Sequence, residues 1–230
     1  MSSSKTVYLI RHAESAENVL MQGVVRSLND LQGGLLLAKN AVTGGNDQCP
    51  LSPAGELQVA EVRQKMQENK QEYFGEGVER ALLENKLLVA HSPMLRAKQT
   101  CLGLITSEVF SGHAQIRDHW MELELLREML PVEMLDSKSR SLAPARIAEF
   151  ETWLDNRPET LVFVVGHSHY FREMLGVGFK FSNCEVWRST FVPRETGVNR
   201  WTNLERVCGS STAQATFGAE GPDAWSSKKS

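Results

Sequence analysis

The sequence predicts an α/β fold of three layers: a mostly parallel central sheet with helices on both faces, and antiparallel edge strands near the C-terminus. Three observations lead there. Apolar runs at 7–10, 87–90 and 161–165 lack the alternation of a half-exposed strand, and such runs suit parallel strands covered on both sides. Segments with helical periodicity lie between them, which is the pattern of βαβ units. Past residue 184, two β-rich segments flank Pro193-Arg194-Glu195-Thr196-Gly197 and read as a late hairpin. One domain over 1–208 is expected, with a flexible tail over 209–230. From Gly209 the chain turns to Ser, Thr, Ala, Gly and Pro and lacks the apolar content to pack, although Phe217 and Trp225 could dock weakly.

The first strand, Val7-Tyr8-Leu9-Ile10, breaks off abruptly into Arg11-His12-Ala13-Glu14-Ser15. Ligands of open α/β sheets sit beyond the carboxyl ends of the strands, where Arg11 and His12 would stand. An arginine grips phosphate as a fork, and a neutral imidazole can attack phosphorus. A surface Arg-His pair at a strand end is the plain alternative. Val19 to Pro50 shows no firm period and reads as a long loop with one or two helical turns over the strand ends. In it, Arg26 and Lys39 are either substrate contacts or solvated tips. Ser52-Pro53 then starts a helix, with Ser as N-cap and Pro at the first helical position. Val59, Val62 and Met66 form its apolar stripe, so it is scaffold. Val78 to Glu84 reads as a further short helical segment.

The second strand, Leu87-Leu88-Val89-Ala90, ends at His91-Ser92-Pro93. Ser92-Pro93 repeats the capping pattern and predicts a helix from Met94 to about Ser107, with Met94, Ala97, Cys101 and Ile105 as core. Arg96 falls in its first turn, where an anion would meet both a guanidinium and free backbone N–H groups. His91, at the strand end, either lines the cleft or is a hydrogen-bonded structural histidine, with the second reading preferred. Ile116 to Leu135 is ambiguous: Glu122, Glu124 and Glu128 stand among leucines, spacing does not choose between Glu124 and Glu128, and all three also fit a solvated helix face. Lys138 and Arg140 follow in a polar loop, solvated or touching a second acidic group of a substrate. Ala143-Pro144 opens a helix carrying Ile147, Phe150 and Leu154, ended by Asn156-Arg157-Pro158.

The third strand, Leu161 to Val165, leads into Gly166-His167-Ser168-His169, and Tyr170 to Leu175 should be helical up to Gly176. His167 would lie near a helix N-terminus, which favours an anion. If the three strands are parallel neighbours, His12, His167 and Arg96 converge with Arg11 into a site for a dianion. A metal held by His167 and His169 lacks a carboxylate or cysteine cluster to complete it. An esterase elbow at Gly166-His167-Ser168-His169-Tyr170 lacks its last glycine, and no histidine follows His169 to serve as base.

Arg11-His12-Ala13-Glu14-Ser15, with Asn18 after it, resembles the opening signature of the histidine phosphatase superfamily, which includes the cofactor-dependent phosphoglycerate mutases. Leu51 to Gln58, Ser92 to Thr100 and Gly166-His167 resemble its later blocks, in family order, with Ala13 and Ser168 standing where glycines are commoner. The resemblance implies phosphoryl transfer through a phosphohistidine. His12 would be the nucleophile, with Arg11, Arg96 and His167 on the phosphoryl oxygens and Asn18 adding a hydrogen bond. Leu126-Arg127-Glu128 resembles the segment that bears the proton donor, and this singles out Glu128, whose pKa should then be raised. Expected site residues are therefore His12, Glu128 and His167 for catalysis and Arg11, Arg96 and Asn18 for phosphate, with no metal and no cofactor. The family's mutases carry a Gly-Trp pair early and paired arginines later. Here no tryptophan precedes Trp120 and no Arg-Arg occurs, which favours hydrolysis over the mutase reaction. A phosphate- or phosphopeptide-binding relative without turnover is the further alternative.

Bulk properties narrow the partners. The net charge of −3 speaks against nucleic acid, and no apolar run is long enough to span a bilayer. Met1-Ser2-Ser3-Ser4-Lys5 does not read as a signal peptide. The cysteines at 49, 101, 184 and 208 form no CxxC, so reduced thiols and a cytoplasmic location are expected. The expected partner is a small phosphorylated substrate or a phosphoprotein. Sugar phosphates, nucleotides, inositol phosphates and phosphoproteins all fit, and the sequence selects no oligomeric state.

Overall fold

The computed structural model describes residues 3–19, 47–110, 114–129, 142–192 and 200–212. Its strands are β1 (Lys5–Arg11), β2 (Leu87–His91), β3 (Trp120–Glu122), β4 (Leu161–Gly166), β5 (Val186–Phe191) and β6 (Trp201–Cys208). They form one sheet in the order β3-β2-β4-β1-β5-β6. The first four in that order are parallel; β5 runs antiparallel to β1, and β6 antiparallel to β5. The α/β architecture expected from the apolar runs is the one observed.

Successive residues of a strand face opposite sides, so each central strand feeds two cores. Tyr8, Ile10, Val89, Phe163 and Val165 lie on one side. They pack with α1 (Pro53–Glu68) through Val59, Val62 and Met66, and with α4 (Leu95–Leu104) through Ala97, Cys101 and Leu104. Two short helices, α2 (Lys70–Phe74) and α3 (Gly77–Leu83), complete that layer with Phe74, Val78 and Leu82. Val7, Leu9, Val162 and Val164 lie on the other side. There α5 (Leu142–Asp155) contributes Ile147, Phe150 and Leu154, and α6 (Ser168–Leu175) contributes Tyr170, Phe171 and Met174.

Register aligns the strand ends. Ile10 and His91 both stand level with Val165, on either side of β4. One further backbone bond continues each pairing: His12 N donates to Gly166 O at 2.9 Å, and Ser92 N to Val165 O at 2.9 Å. The residues following β1, β2 and β4 therefore emerge together at one edge.

Ser52 caps α1 as its sequence predicts, accepting from Gly55 N at 3.0 Å with Pro53 in the first turn. The same hydroxyl donates to Glu14 Oε1 at 2.7 Å and so ties the helix start to the segment after β1. A Cβ on Gly55 would stand 2.0 Å from the Glu14 carbonyl oxygen, so only glycine allows this approach. The second Ser-Pro pair behaves differently. Helix α4 begins at Leu95 with Met94 as N-cap and ends at Leu104, short of Ser107. Ser92 is held by the sheet through its bond to Val165 O, which keeps it out of the helix start.

The ambiguous stretch that begins at Ile116 opens in two 3-10 turns, Ala114–His119 and Glu124–Leu126, on either side of β3, a strand of three residues. Helix α6 ends at Gly176, which takes the left-handed conformation (φ 64°) expected of a C-cap glycine. Gly209 and Ser210, at the start of the segment expected to be a tail, lie against α1. Lys65 Nζ donates to Gly209 O at 2.9 Å, and Ser210 Oγ to Glu61 Oε2 at 2.6 Å. Phe217 and Trp225, Arg26 and Lys39, and Lys138 and Arg140 fall outside the described residues. The four cysteines are free and buried. Among the described residues, no helix is long and apolar enough to cross a membrane.

Candidate active site

The edge where β1, β2 and β4 end gathers His12, Arg11, Arg96 and His167, each buried. The two imidazole centroids are 5.0 Å apart, with the rings inclined at 61°. At that spacing the rings are in edge-to-face contact, so both border the same site. Four cationic or imidazole groups from three separate segments are thus brought to one cleft.

His12 is held on all sides. Its Nδ1 lies 2.7 Å from the carbonyl oxygen of Ala13, which can only accept, so Nδ1 carries the proton and Nε2 keeps its lone pair. Its own carbonyl accepts from Cys184 N at 3.3 Å and from Asn183 Nδ2 at 3.2 Å. Ala13 N is fixed by Thr100 Oγ1 at 3.0 Å, on α4. Burial, then the charges of Arg96 and Arg11, hold the His12 pKa well below that of a free imidazole, against a smaller upward pull from the Ala13 bond. The ring is neutral at physiological pH.

Arg11 donates from Nη1 to the carbonyl of Phe181, whose own N–H is held by Ser168 Oγ at 3.1 Å. Ser168, where a glycine is commoner in the resembled family, thus secures the loop that orients Arg11. Arg11 Nε is buried and has no protein partner among the described residues. Burial lowers the Arg11 pKa to about 10, partly offset by Glu128 and Glu185, so it stays charged at neutral pH. Arg96 Nη2 lies 3.4 Å from Met94 Sδ. Its Nη1 pairs with Glu17 Oε2 at 3.1 Å, a carboxylate that the sequence reading did not single out. Asn18 sits beside the cleft, but its Oδ1 accepts from Ser15 N and Ser15 Oγ, both at 3.1 Å, and from Asn183 Nδ2 at 3.4 Å. It braces the turn after His12, and only its amide N–H groups remain to meet a ligand.

His167 is the N-cap residue of α6 and fully buried. Its Nε2 lies 2.8 Å from Ser92 Oγ, while Nδ1 has no hydrogen-bond partner among the described residues. Burial, followed by His12, Arg96 and Arg11, places its pKa well below the ordinary value. Glu128 Oε2 approaches His167 Nδ1 to 3.8 Å, beyond a hydrogen bond. The Glu128 side chain is 20% exposed. Burial raises its pKa, opposed by hydrogen bonds from the backbone N–H groups of Met129 and Tyr170 and by Arg96 and Arg11. The sequence reading anticipated this direction. Its rival, Glu124, instead pairs with Arg127 (Oε2 to Nε 3.0 Å) on an exposed face. Arg127 also bonds Asp47, so the residue next to Glu128 is tethered to the chain entering α1.

His91 bonds Ser92 O through Nδ1 at 2.9 Å, as a structural histidine would. Burial lowers the pKa of half-buried His169 to about 4. Among the described residues no group of three or more His, Cys, Asp or Glu is placed to hold a metal ion. Ser92, Asn183 and Glu17 were missed in the sequence. Ser92 was visible only as a capping serine, and Asn183 carries no local pattern at all.

No family model and no curated protein matches the chain. Solved structures do. The protein histidine phosphatase SixA, complexed with tungstate, is 17% identical, with 88% of this chain and 97% of that one covered and a TM-score of 0.47. A mycobacterial glucosyl-3-phosphoglycerate phosphatase is 12% identical, with 91% and 100% covered and a TM-score of 0.46. A phosphoserine phosphatase from Entamoeba histolytica, in complex with 3-phosphoglyceric acid, is 18% identical, with 90% and 98% covered and a TM-score of 0.47. Each of these likenesses spans most of both chains at low identity.

Proposed function

We propose that the chain is a phosphomonoester hydrolase working through a phosphohistidine on His12. The observation that carries this reading is the bond from His12 Nδ1 to the Ala13 carbonyl inside a buried cationic cleft. It leaves a neutral ring with Nε2 bare, which is the form of imidazole that attacks phosphorus. His12 Nε2 forms the new N–P bond while the P–O bond to the leaving group breaks. Arg11, Arg96 and His167 take the non-bridging oxygens and offset the charge that spreads over them. Glu128 passes its proton to the departing oxygen, then accepts one from the water that cleaves the N–P bond. Asn18 contributes through its amide N–H groups. The substrate class is a phosphorylated small molecule or phosphoprotein.

Turnover of p-nitrophenyl phosphate should fall to background in His12→Ala, and quenched wild-type enzyme should carry acid-labile phosphate on His12. Full turnover in His12→Ala would overturn the reading. Incubation with 3-phosphoglycerate and its bisphosphate primer separates hydrolysis, which releases inorganic phosphate, from mutase chemistry, which yields the isomer.

A further inference from the structure

The two ring nitrogens of His167 meet different groups. Nε2 meets Ser92 Oγ at 2.8 Å, and Nδ1, without a hydrogen-bond partner among the described residues, lies 3.8 Å from Glu128 Oε2. Ser92 is fully buried. Its hydroxyl oxygen accepts from Met94 N at 3.3 Å, and among the described residues the hydroxyl proton has one acceptor within reach, His167 Nε2.

Hydrogen-bond accounting then decides the tautomer. If Nε2 carried the proton, the Ser92 hydroxyl proton would be buried with no acceptor. Nδ1 would at the same time turn a lone pair toward the space meant for an anion. If Ser92 donates to Nε2, every group is satisfied except Nδ1–H, which is left as a donor aimed into the cleft. A doubly protonated ring would place a third buried cation beside Arg11 and Arg96.

We propose that Ser92 is a positioning residue: its hydroxyl donates to His167 Nε2 and holds the neutral ring with its proton on Nδ1, making that N–H the donor for a phosphoryl oxygen. The role given to the phosphoryl oxygen rests on the phosphohydrolase reading; the tautomer does not. Two histidines of one cleft are then set to complementary tasks by their partners. A carbonyl leaves His12 a nucleophilic lone pair, and a hydroxyl leaves His167 a donor. The lowered pKa of His167 agrees with a neutral ring across the working range. It also means that its donor function needs no protonation from solvent.

The test uses full-length protein labelled with 15N at histidine, in two-bond N–H correlation spectra at pH 7, with the His167 signals identified by their absence in His167→Asn. Wild type should show a protonated, pyrrole-type Nδ1 and a bare, pyridine-type Nε2. Ser92→Ala should lose that preference and lose about tenfold or more in kcat, approaching the ~10²–10³ that follows removal of one transition-state donor. Ser92→Thr, which keeps the hydroxyl, should recover most of both. A wild-type proton on Nε2, or a charged ring at pH 7, overturns the proposal, whether or not Ser92→Ala folds. So does Ser92→Ala with unchanged tautomer and rate. Turnover surviving in His12→Ala would remove the phosphohydrolase reading instead and leave the tautomer result standing.

Discussion

Glu128 and the two cleft histidines are titratable groups held away from their ordinary pKa values by burial, and the signs are opposite. A carboxyl with a raised folded-state pKa favours the folded protein at pH below the ordinary carboxylate range and loses that contribution as pH rises through the raised value. Glu128→Gln should therefore leave stability unchanged in acid and increase it relative to wild type at higher pH, as urea unfolding at several pH values will show. The same substitution should lower kcat by about 10²–10⁴-fold and remove the alkaline limb of the pH–rate profile. His12 and His167 have depressed pKa values, so their contribution is complete above pH ~6.5 and is lost as pH falls from there toward the folded-state values. Unfolding free energy should decline over that window, and less steeply in His12→Phe.

At the scale of elements, the start of α1 is where packing reaches the chemistry. Ser52 binds both Gly55 N and the Glu14 carboxylate, and Gly55 touches the Glu14 backbone two residues beyond His12. Ser52→Ala should cost about 1 kcal/mol in unfolding free energy, the usual loss for an N-cap. Gly55→Ala should cost roughly 1–3 kcal/mol by overpacking. It should also lower kcat through displacement of Glu14, whereas Leu57→Ala, on the exposed face of the same helix, should change neither. Elements differ in how well the sequence reveals them. β1, β2 and β4 were legible because a run of four or five apolar residues stops at a charged or imidazole side chain, and burial demands such a run. β3 was not, since three residues carry too little pattern and its place is set by pairing with Val89 to His91. Ser92 was legible as a residue and misread as a cap: its partner, His167, lies 75 positions away and enters only through the sheet. Asn183 is a further instance, since it serves His12 through a backbone carbonyl that any sequence would supply.

For the molecule as a whole, one sheet joins both cores, and the site draws on segments that follow β1, β2 and β4. We expect residues 1–212 to unfold in a single calorimetric transition, because no described element is packed apart from that sheet. Removal of 213–230 should leave the transition in place, whereas removal from 209 onward takes away the contacts of Gly209 and Ser210 with Lys65 and Glu61 and should lower its midpoint. The pairing of Glu17 with Arg96 carries a consequence for the reaction cycle. The Glu17 side chain already engages one Arg96 nitrogen, so on the phosphohydrolase reading an incoming phosphate would have to displace it, and its return would help expel the product. Inhibition by free orthophosphate should be weak for so cationic a cleft, and Glu17→Gln should tighten it several-fold while slowing product escape.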